Sequence, residues 1–457
     1  LLSGGSGKRL WPLSNDSRSK QFLKVLEDTD KNLQSMVQRV WRQLKISELQ
    51  ESTLITTSKS QIDMIKSQLE ANVELIVEPS RRDTFPAISL AVSYLYSKKD
   101  VDSNEVIAVL PVDPYVEIDF FDRVKDLEKV IQNGLADIAL LGVCPTYPSE
   151  KYGYIVPKIS LNDNNDDAIK VSQFIEKPNE VLAKKLIGQG ALWNCGVFAF
   201  KLGYLINIMK DKQYPINYDV LLNKYNELPK ISFDYEVVEK SKNIVTLSYG
   251  GDWKDLGTWN TLTEEMGTNQ IGKGIISEDS NNTHLINELD IPVTILGVSN
   301  AVVAVSPDGI LVSDKNKSPK IKELVNNFNV RPMYEERLWG WYRVLDYSKY
   351  GDQEVLTKRI GIKEGKNLSY QFHLARKKTW IIIQGEGLVA LNENLQFAKV
   401  GDVLQIDKGV KHSIKAIKDL EIIEIQTGTK LVEEDIVRLM SNWNEIERNC
   451  YKNVTNK

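Results

Sequence analysis

Residues 1–14 read LLSGGSGKRLWPLS, a short apolar run that enters a glycine-rich turn carrying two cations. The fold depends on what kind of phosphate site this turn makes. A P-loop needs Gly, four residues, then Gly-Lys-Ser/Thr, so that the hydroxyl can reach magnesium. Counting back from Gly7-Lys8 puts Leu2 at the first glycine position, and Arg9 stands where the hydroxyl should be. A dinucleotide turn built on Gly5-x-Gly7 would want glycine or alanine at position 10, which is Leu10. Neither pattern fits. Gly4, Gly5 and Gly7 still let backbone N–H groups approach a ligand closely, and Lys8, Arg9 and then Lys20 add cationic donors. That combination suits a polyphosphate.

Outward from this turn, residues 1–266 alternate short apolar runs with amphipathic stretches. LITTS (54–58), ELIVEP (74–79), EVIAVLPVD (105–113), IALLGV (138–143), GVFAF (196–200) and NIVTL (243–247) read as strands. DKNLQSMVQRVWRQL and FPAISLAVSYLYSKK between them read as helices. Such alternation predicts an α/β domain with a mostly parallel sheet covered on both faces, binding its ligand at the carboxyl ends of the strands. Asp113 ends one of these strands and Asp255 lies in GDWKDLGTW. Each alone reads as a cap or turn aspartate; converging at one strand-end face, they would make a two-carboxylate magnesium site.

From 267 to 330 short β-like pieces with Gly and Asn turns predict a β-rich connecting module, without a fixed-period repeat and ending in a helical SPKIKELVNNF. From 331 to 457 strands resume in YRVLDYS, EVLTKRIGI, TWIIIQGEGLVAL, GDVLQID and LEIIEIQTG, as in an antiparallel barrel or sandwich. LVEEDIVRLMSNWNEIER is expected to close the chain as an amphipathic helix, with Ile436, Leu439 and Trp443 on one side as a packing or homodimer face.

Composition narrows the partners. Among 457 residues, 58 basic and 62 acidic side chains are well mixed and net charge is −4, so nucleic acid is a poor candidate. Three cysteines without close spacing (Cys144, Cys195, Cys450) argue against a disulfide framework or zinc cluster and suit a reducing cytoplasm. No apolar run is long enough to span a bilayer and none reads as a signal peptide. The sequence opens without Met inside a strand-like run, so a few preceding residues are expected.

SGGSGKRLWPLS, EPSRRDTFPAI (78–88), LPVDPY (110–115), YGYI (152–155), FIEKP (174–178), WNCGVF (193–198), SFDYEVVEK (232–240) and WKDLGTW (253–259) occur in order. Together they resemble the sugar-nucleotide pyrophosphorylases, most closely the mannose-1-phosphate guanylyltransferases of the bacterial two-domain type. The resemblance implies a Rossmann-like nucleotidyltransferase domain joining GTP and mannose-1-phosphate into GDP-mannose, a precursor for polysaccharide, with release of pyrophosphate. It assigns Gly4, Gly5, Gly7, Lys8, Arg9, Glu78 and Arg82 to the nucleotide, and Gly153, Glu176, Lys177 and Asn194 to the sugar phosphate. Arg9 and Lys20 are assigned to catalysis, and Asp113 and Asp255 to Mg²⁺. Two departures stand out. RRDTFP replaces the usual Gly-Arg-Asn-Thr-Ala-Pro near the base, and Val112-Asp113-Pro114 replaces Ala-Asp-His. Other substrates, such as CTP or a heptose-1-phosphate, and a non-catalytic sugar-nucleotide-binding regulator are the competing readings. The retained Arg9, Lys20, Asp113, Glu176, Lys177 and Asp255 favour the enzyme.

The C-terminal region resembles a cupin, specifically the isomerase half of bifunctional mannose-6-phosphate isomerase/guanylyltransferases. Gln371, His373 and His412 remain at expected ligand positions, whereas Ala375, Lys378 and Thr379 occupy the others, and Asp407 replaces a usual proline. With imidazole and carboxylate ligands mostly gone, the barrel is expected to serve assembly or stability rather than isomerisation.

Overall fold

In the computed structural model the strand Leu2–Ser3 pairs in parallel with Ile55–Ser58, which pairs in parallel with Leu75–Glu78. All residues are described except 6, 16, 70–72, 159–167, 327, 329–330, 433–434 and 453–457. Leu2 also bridges Pro111 in parallel, beyond the end of the strand Val106–Val109. A second, six-stranded sheet contains Val106–Val109, Leu192–Lys201, Ile138–Val143 and Ile244–Tyr249 in that spatial order. Ile138–Val143 and Ile244–Tyr249 run parallel, but Leu192–Lys201 lies antiparallel to all three of its partners, Val106–Val109, Ile138–Val143 and Tyr154–Pro157. An apolar run such as GVFAF reads alike in either direction, so its sense is decided by the connections.

Every residue of Ile138–Val143 is buried, as a strand covered on both faces requires. One face carries the helices Met36–Ile46, Ile62–Leu69 and Asp119–Gln132; the other carries Thr84–Ser97, Leu202–Asp211 and Tyr218–Asn223. Met36–Ile46 shows how the sequence builds them. Ser35 and Gln38 form a reciprocal capping box at its start, and Val37, Val40, Trp41 and Leu44 recur at helical spacing to enter the core. Each buried side chain of this kind contributes roughly 1.5–3 kcal/mol.

Two compact units divide the chain. The first comprises Leu1–Leu10, Ser19–Asn269 and Lys315–Ile321; the second comprises Trp11–Arg18, Gln270–Asp314 and Lys322–Lys457. The segment Trp11–Arg18 therefore leaves the first unit and returns to it at Ser19. It is held within the second by Trp11 against Phe328, Ser306 Oγ donating to the Pro12 carbonyl, and Arg18 paired with Glu288.

In the second unit Gln270–Ile271, His284–Asn287 and Ala301–Ser306 stack in parallel, as do Gly274–Ile276 and Val293–Ile295. Gln270 pairs with Leu285 and Leu285 with Val303, steps of 15 residues (270 to 285) and 18 (285 to 303). These unequal rungs explain why no fixed repeat is visible in the sequence. Of the helical stretch 318–328, Ile321–Val325 is α-helix following a 3-10 turn, and Asn327 lies outside the described residues.

The remainder forms two six-stranded sheets around a core including Trp380, Ile382, Ile414 and Ile422. The expected C-terminal helix is corrected here. Ile436–Met440 is a strand antiparallel to Tyr370–His373, and among the described residues of this stretch the α-helix is confined to Trp443–Arg448. Glu433 and Glu434 lie outside the described residues. Tyr370–His373 pairs with His412–Ala416 only at Gln371, so its other edge gains its backbone partners from 436–440. Ile436 and Leu439 thus belong to a sheet, while Trp443 and Ile446 pack inward with Tyr370 and Leu395.

Candidate active site

The glycine turn is anchored from behind. A Cβ on Gly7 would stand 2.7 Å from Ser19 Cα and 2.9 Å from Lys20 N, so only glycine lets the two segments touch. Gln61 Nε2 donates to Ser19 Oγ at 2.8 Å, and Ser19 Oγ donates to the Gly5 carbonyl at 2.7 Å. This contact sets Lys20 beside the turn.

Lys20 Nζ lies 3.0 Å from Asp113 Oδ2 and 2.7 Å from Asp255 Oδ1. A short ladder brings the two carboxylates together: Trp253–Asp255 pairs antiparallel with Pro114–Val116, with Asp255 opposite Pro114. Pro114, which departs from the family pattern, sits at the first position of its strand, where a missing N–H is tolerated. Burial alone would push the Lys20 ammonium towards neutrality, but the charges of Asp113 and Asp255 reverse this and hold it protonated. Burial likewise opposes the Asp255 charge, and Lys20, then Arg9 and Lys151, overcome it and lower its pKa. Two carboxylates already sharing a cation, with hard oxygen donors, fit a divalent ion that completes its shell with water and phosphate.

A cavity of about 270 Å³ opens from this pair and reaches Gly153, Glu176, Asn194 and Asp234. The strand carrying Asn194 breaks register between Asn194 and Phe198, with Gly196 at φ 71° and its N–H on Asn194 Oδ1 at 3.0 Å. Such a bulge re-aims a side chain; Asn194 Nδ2 donates to Asp234 Oδ1 at 2.8 Å. Glu176 accepts from Lys177 Nζ at 2.5 Å, and Lys177 itself adopts φ 47°, a left-handed conformation uncommon outside glycine. A Cβ on Gly153 would fall 2.5 Å from Glu176 Oε2, so this glycine leaves room for the carboxylate.

Not every residue singled out from the sequence lines this cavity. Lys20, Asp113, Gly153, Glu176, Asn194 and Asp255 do; Gly4, Gly5, Gly7, Lys8, Arg9, Glu78, Arg82 and Lys177 do not. Arg9 is exposed but acts on Asp255 and Tyr152 through its charge. Glu78 is buried beside the glycine turn, 3.5 Å from where a Gly4 Cβ would be, and accepts from Tyr225 Oη at 2.6 Å. Burial raises its carboxyl above the usual range. Arg82 Nε donates to the Leu228 carbonyl at 2.7 Å, and Asp83 accepts from Thr84 N at the start of Thr84–Ser97. Asp234, Lys151, Tyr152 and Trp253 line the cavity without having been singled out. Asp234 lies in a π-helical turn, Asp234–Val238, a geometry frequent at functional sites. Burial and then the Glu176 charge raise its carboxyl to about 7. Its signal was the SFDYEVVEK stretch, whose aspartate has no helical or strand role to explain it.

In the second unit, His373 and His412 face each other in the barrel with ring centroids 5.1 Å apart, and neither Nε2 has a hydrogen-bond partner among the described residues. Burial and then the Lys378 charge push both imidazoles down to about 3. Lys378 Nζ lies 3.1 Å from Glu424, which also accepts from Trp380 Nε1 at 2.7 Å. Arg376 pairs with Asp435 at 2.9 Å. Among the described residues no group of three or more His, Cys, Asp or Glu side chains is placed to hold a metal ion.

Residues 1–270 match the family model for nucleotidyl transferase, and residues 329–441 that for the mannose-6-phosphate isomerase C-terminal domain. Mannose-1-phosphate guanylyltransferase RfbM of Salmonella typhimurium is 30% identical, covering 96% of this chain and 96% of its own. Alginate biosynthesis protein AlgA of Pseudomonas syringae is also 30% identical, with 96% and 95% covered. The crystal structure of mannose-1-phosphate geranyltransferase from Thermus thermophilus superposes with a TM-score of 0.58 at 26% identity, over 72% of this chain and 98% of that one.

Proposed function

The chain belongs to the nucleotidyl transferase family, and from that premise we propose that its first unit makes GDP-mannose and pyrophosphate from GTP and mannose-1-phosphate, for use in polysaccharide assembly. A phosphate oxygen of the sugar-1-phosphate attacks the α-phosphorus, a new P–O bond forms, and the bond to the β-phosphate oxygen breaks; no covalent enzyme intermediate is required. Mg²⁺ bound between Asp113 and Asp255 would supply charge neutralisation at the α-phosphate.

The chain's own residues divide the remaining work. The backbone of Gly4, Gly5 and Gly7, with Lys8 and Arg9, cradles the triphosphate, with Glu78 and Arg82 on the nucleoside side. Lys20 offers its ammonium to the transferring phosphate, and Glu176, Lys177, Asn194 and Gly153 hold the sugar phosphate in line. Positioning and preorganised charge carry most of the acceleration in such reactions. The observation that carries this reading is Lys20 lying between Asp113 and Asp255 at the mouth of a cavity whose far side is Glu176 and Asn194. The names of the full-length relatives favour GTP and mannose-1-phosphate over other pairs.

In the barrel, the Lys378 ammonium already neutralises Glu424, and the remaining imidazoles are two; we read the isomerase activity as lost. Pyrophosphate release measured across the four common nucleoside triphosphates and several sugar-1-phosphates tests the assignment. Fastest release with GTP and mannose-1-phosphate is expected; no release with any pair overturns the enzyme, and fastest release with CTP overturns the base.

A further inference from the structure

A second polar cavity lies wholly within the second unit. It has a volume of about 440 Å³ and is lined by Arg18, Glu288, Tyr334, Arg343, Arg359 and Glu421, among others. Most of its charges are spoken for. Arg18 grips Glu288 with contacts of 2.9 and 2.8 Å, and its guanidinium lies over the Tyr334 ring. Arg359 grips Glu421 at 2.7 and 2.5 Å. Asp290 reaches Lys273 at 3.3 Å on the surface. Arg343 is different. Its guanidinium makes no hydrogen bond or ion pair among the described residues, although the residue is half-buried.

Strand pairing makes the exception sharper. Within one sheet Tyr334 pairs with Arg343, and Arg343 pairs with Arg359. Like charges directly opposite each other on neighbouring strands are destabilising. Glu421 pairs only with Arg359, so the Arg343 guanidinium lines the cavity with no direct ion pair among the described residues. A guanidinium fork matches phosphate bidentately, and the volume is far larger than a phosphate ion needs, in the range of small-molecule pockets. Glu288, Asp290 and Glu421 set the other limit. Their oxygens repel a polyanion such as a nucleoside triphosphate, yet they accept hydrogen bonds from hydroxyl groups.

We propose that this cavity is a second, non-catalytic binding site for a sugar monophosphate, whose phosphate pairs with Arg343 and whose hydroxyls donate to the surrounding carboxylates. The site shares no lining residue with the candidate active-site cavity, and neither His373 nor His412 lines it.

Calorimetric titration of the full chain with glucose 6-phosphate, and separately with inorganic phosphate, tests it. Glucose 6-phosphate should bind the wild type at least tenfold more tightly than inorganic phosphate does. Arg343→Gln should weaken glucose 6-phosphate binding at least tenfold, and Arg343→Lys by less, with nucleotidyl transfer in its absence unchanged. Glu421→Gln should move inorganic phosphate the other way, tightening it severalfold by freeing the Arg359 guanidinium; this opposite sign holds even if the Arg343 variant folds poorly. No glucose 6-phosphate binding to the wild type, or equal binding by wild type and Arg343→Gln, overturns the site. Equal affinity for the two probes overturns the sugar part, and an unchanged or weaker phosphate affinity in Glu421→Gln overturns the charge argument.

Discussion

Lys20 and Asp255, 235 residues apart in the chain, meet in an ion pair of 2.7 Å, and the same ammonium lies 3.0 Å from Asp113. One ammonium therefore balances two carboxylates that would otherwise repel each other.

An ammonium and a divalent ion compete for those two carboxylates. Lys20→Gln is expected to slow transfer by about 10²–10³, the usual cost of removing a group that stabilises transition-state charge. It should also tighten Mn²⁺ binding in the absence of nucleotide, read by electron paramagnetic resonance. Weaker Mn²⁺ binding in the variant would show that Lys20 helps to hold the metal rather than standing in its place.

Asp255→Asn should abolish measurable transfer while leaving the fold intact, since Lys20 keeps Asp113 as a partner. A shift of the unfolding midpoint below about 4 °C, equivalent to ~1 kcal/mol in a domain of this size, is expected. Activity within tenfold of wild type would remove Asp255 from the metal site.

Gly153→Ala places a methyl group 2.5 Å from Glu176 Oε2 and 2.8 Å from Phe174 Cζ. The carboxylate must move, so KM for the sugar-1-phosphate should rise by about tenfold or more, in line with the 1–3 kcal/mol cost of overpacking. KM for the triphosphate should stay near wild type. Equal increases in both would place Glu176 outside the sugar subsite.

Asp234 makes stability depend on pH. Burial, then Glu176, raises its carboxyl to about 7 against the opposing pull of Lys177 and Asn194, whereas in the unfolded chain it titrates near ~3.9. Below about pH 4 both states hold the proton. Between about pH 4 and pH 7 the folded state holds it more tightly, so this contribution to stability is lost as pH rises and is gone above about 7. Asp234→Asn removes that slope. Melting midpoints across the window should fall for the wild type relative to the variant, and parallel profiles would falsify the assignment.

Lys378→Met takes from buried Glu424 its 3.1 Å ion pair and leaves it only the charge of Lys358, opposite on the neighbouring strand. Breaking a buried pair in this way typically costs 3–5 kcal/mol, about the scale at which a domain unfolds. Lys378→Met combined with Glu424→Met should recover most of that loss, and chelator should change neither protein. A chelator-sensitive wild-type barrel would mean that metal, not Lys378, balances Glu424.

Much of this arrangement was legible in the sequence, for identifiable reasons. Asp255 ends the strand Trp253–Asp255. Asp113 lies not at the end of Val106–Val109 as expected but four residues beyond it, just before Pro114–Val116. Both are still near strand ends, where α/β sheets present ligands. Their convergence was not legible, because it depends on the ladder that sets Asp255 opposite Pro114. Asp234 escaped notice since one aspartate in an apolar-flanked stretch reads as a turn; its meaning comes from Asn194, 40 residues earlier, turned inward by a bulge. The stacked rungs after Gln270 were hidden by unequal spacing. The segment 436–440 reads as helix in the sequence because IVRLM gives no clear period over five residues; the open edge of Tyr370–His373 makes it a strand.

The excursion of Trp11–Arg18 has a consequence for how the gene can be cut. Expression of codons 1–270 alone would retain every residue that lines the catalytic cavity, yet strip Trp11 of Phe328, Pro12 of Ser306, Asn15 of Asp308 and Arg18 of Glu288. The loosened stretch sits between Arg9 and Lys20, so the loss falls next to the two cations to which the proposed transfer assigns catalysis. Two units with separate cores are in this sense a single heritable piece, tied by eight residues near the start of the chain.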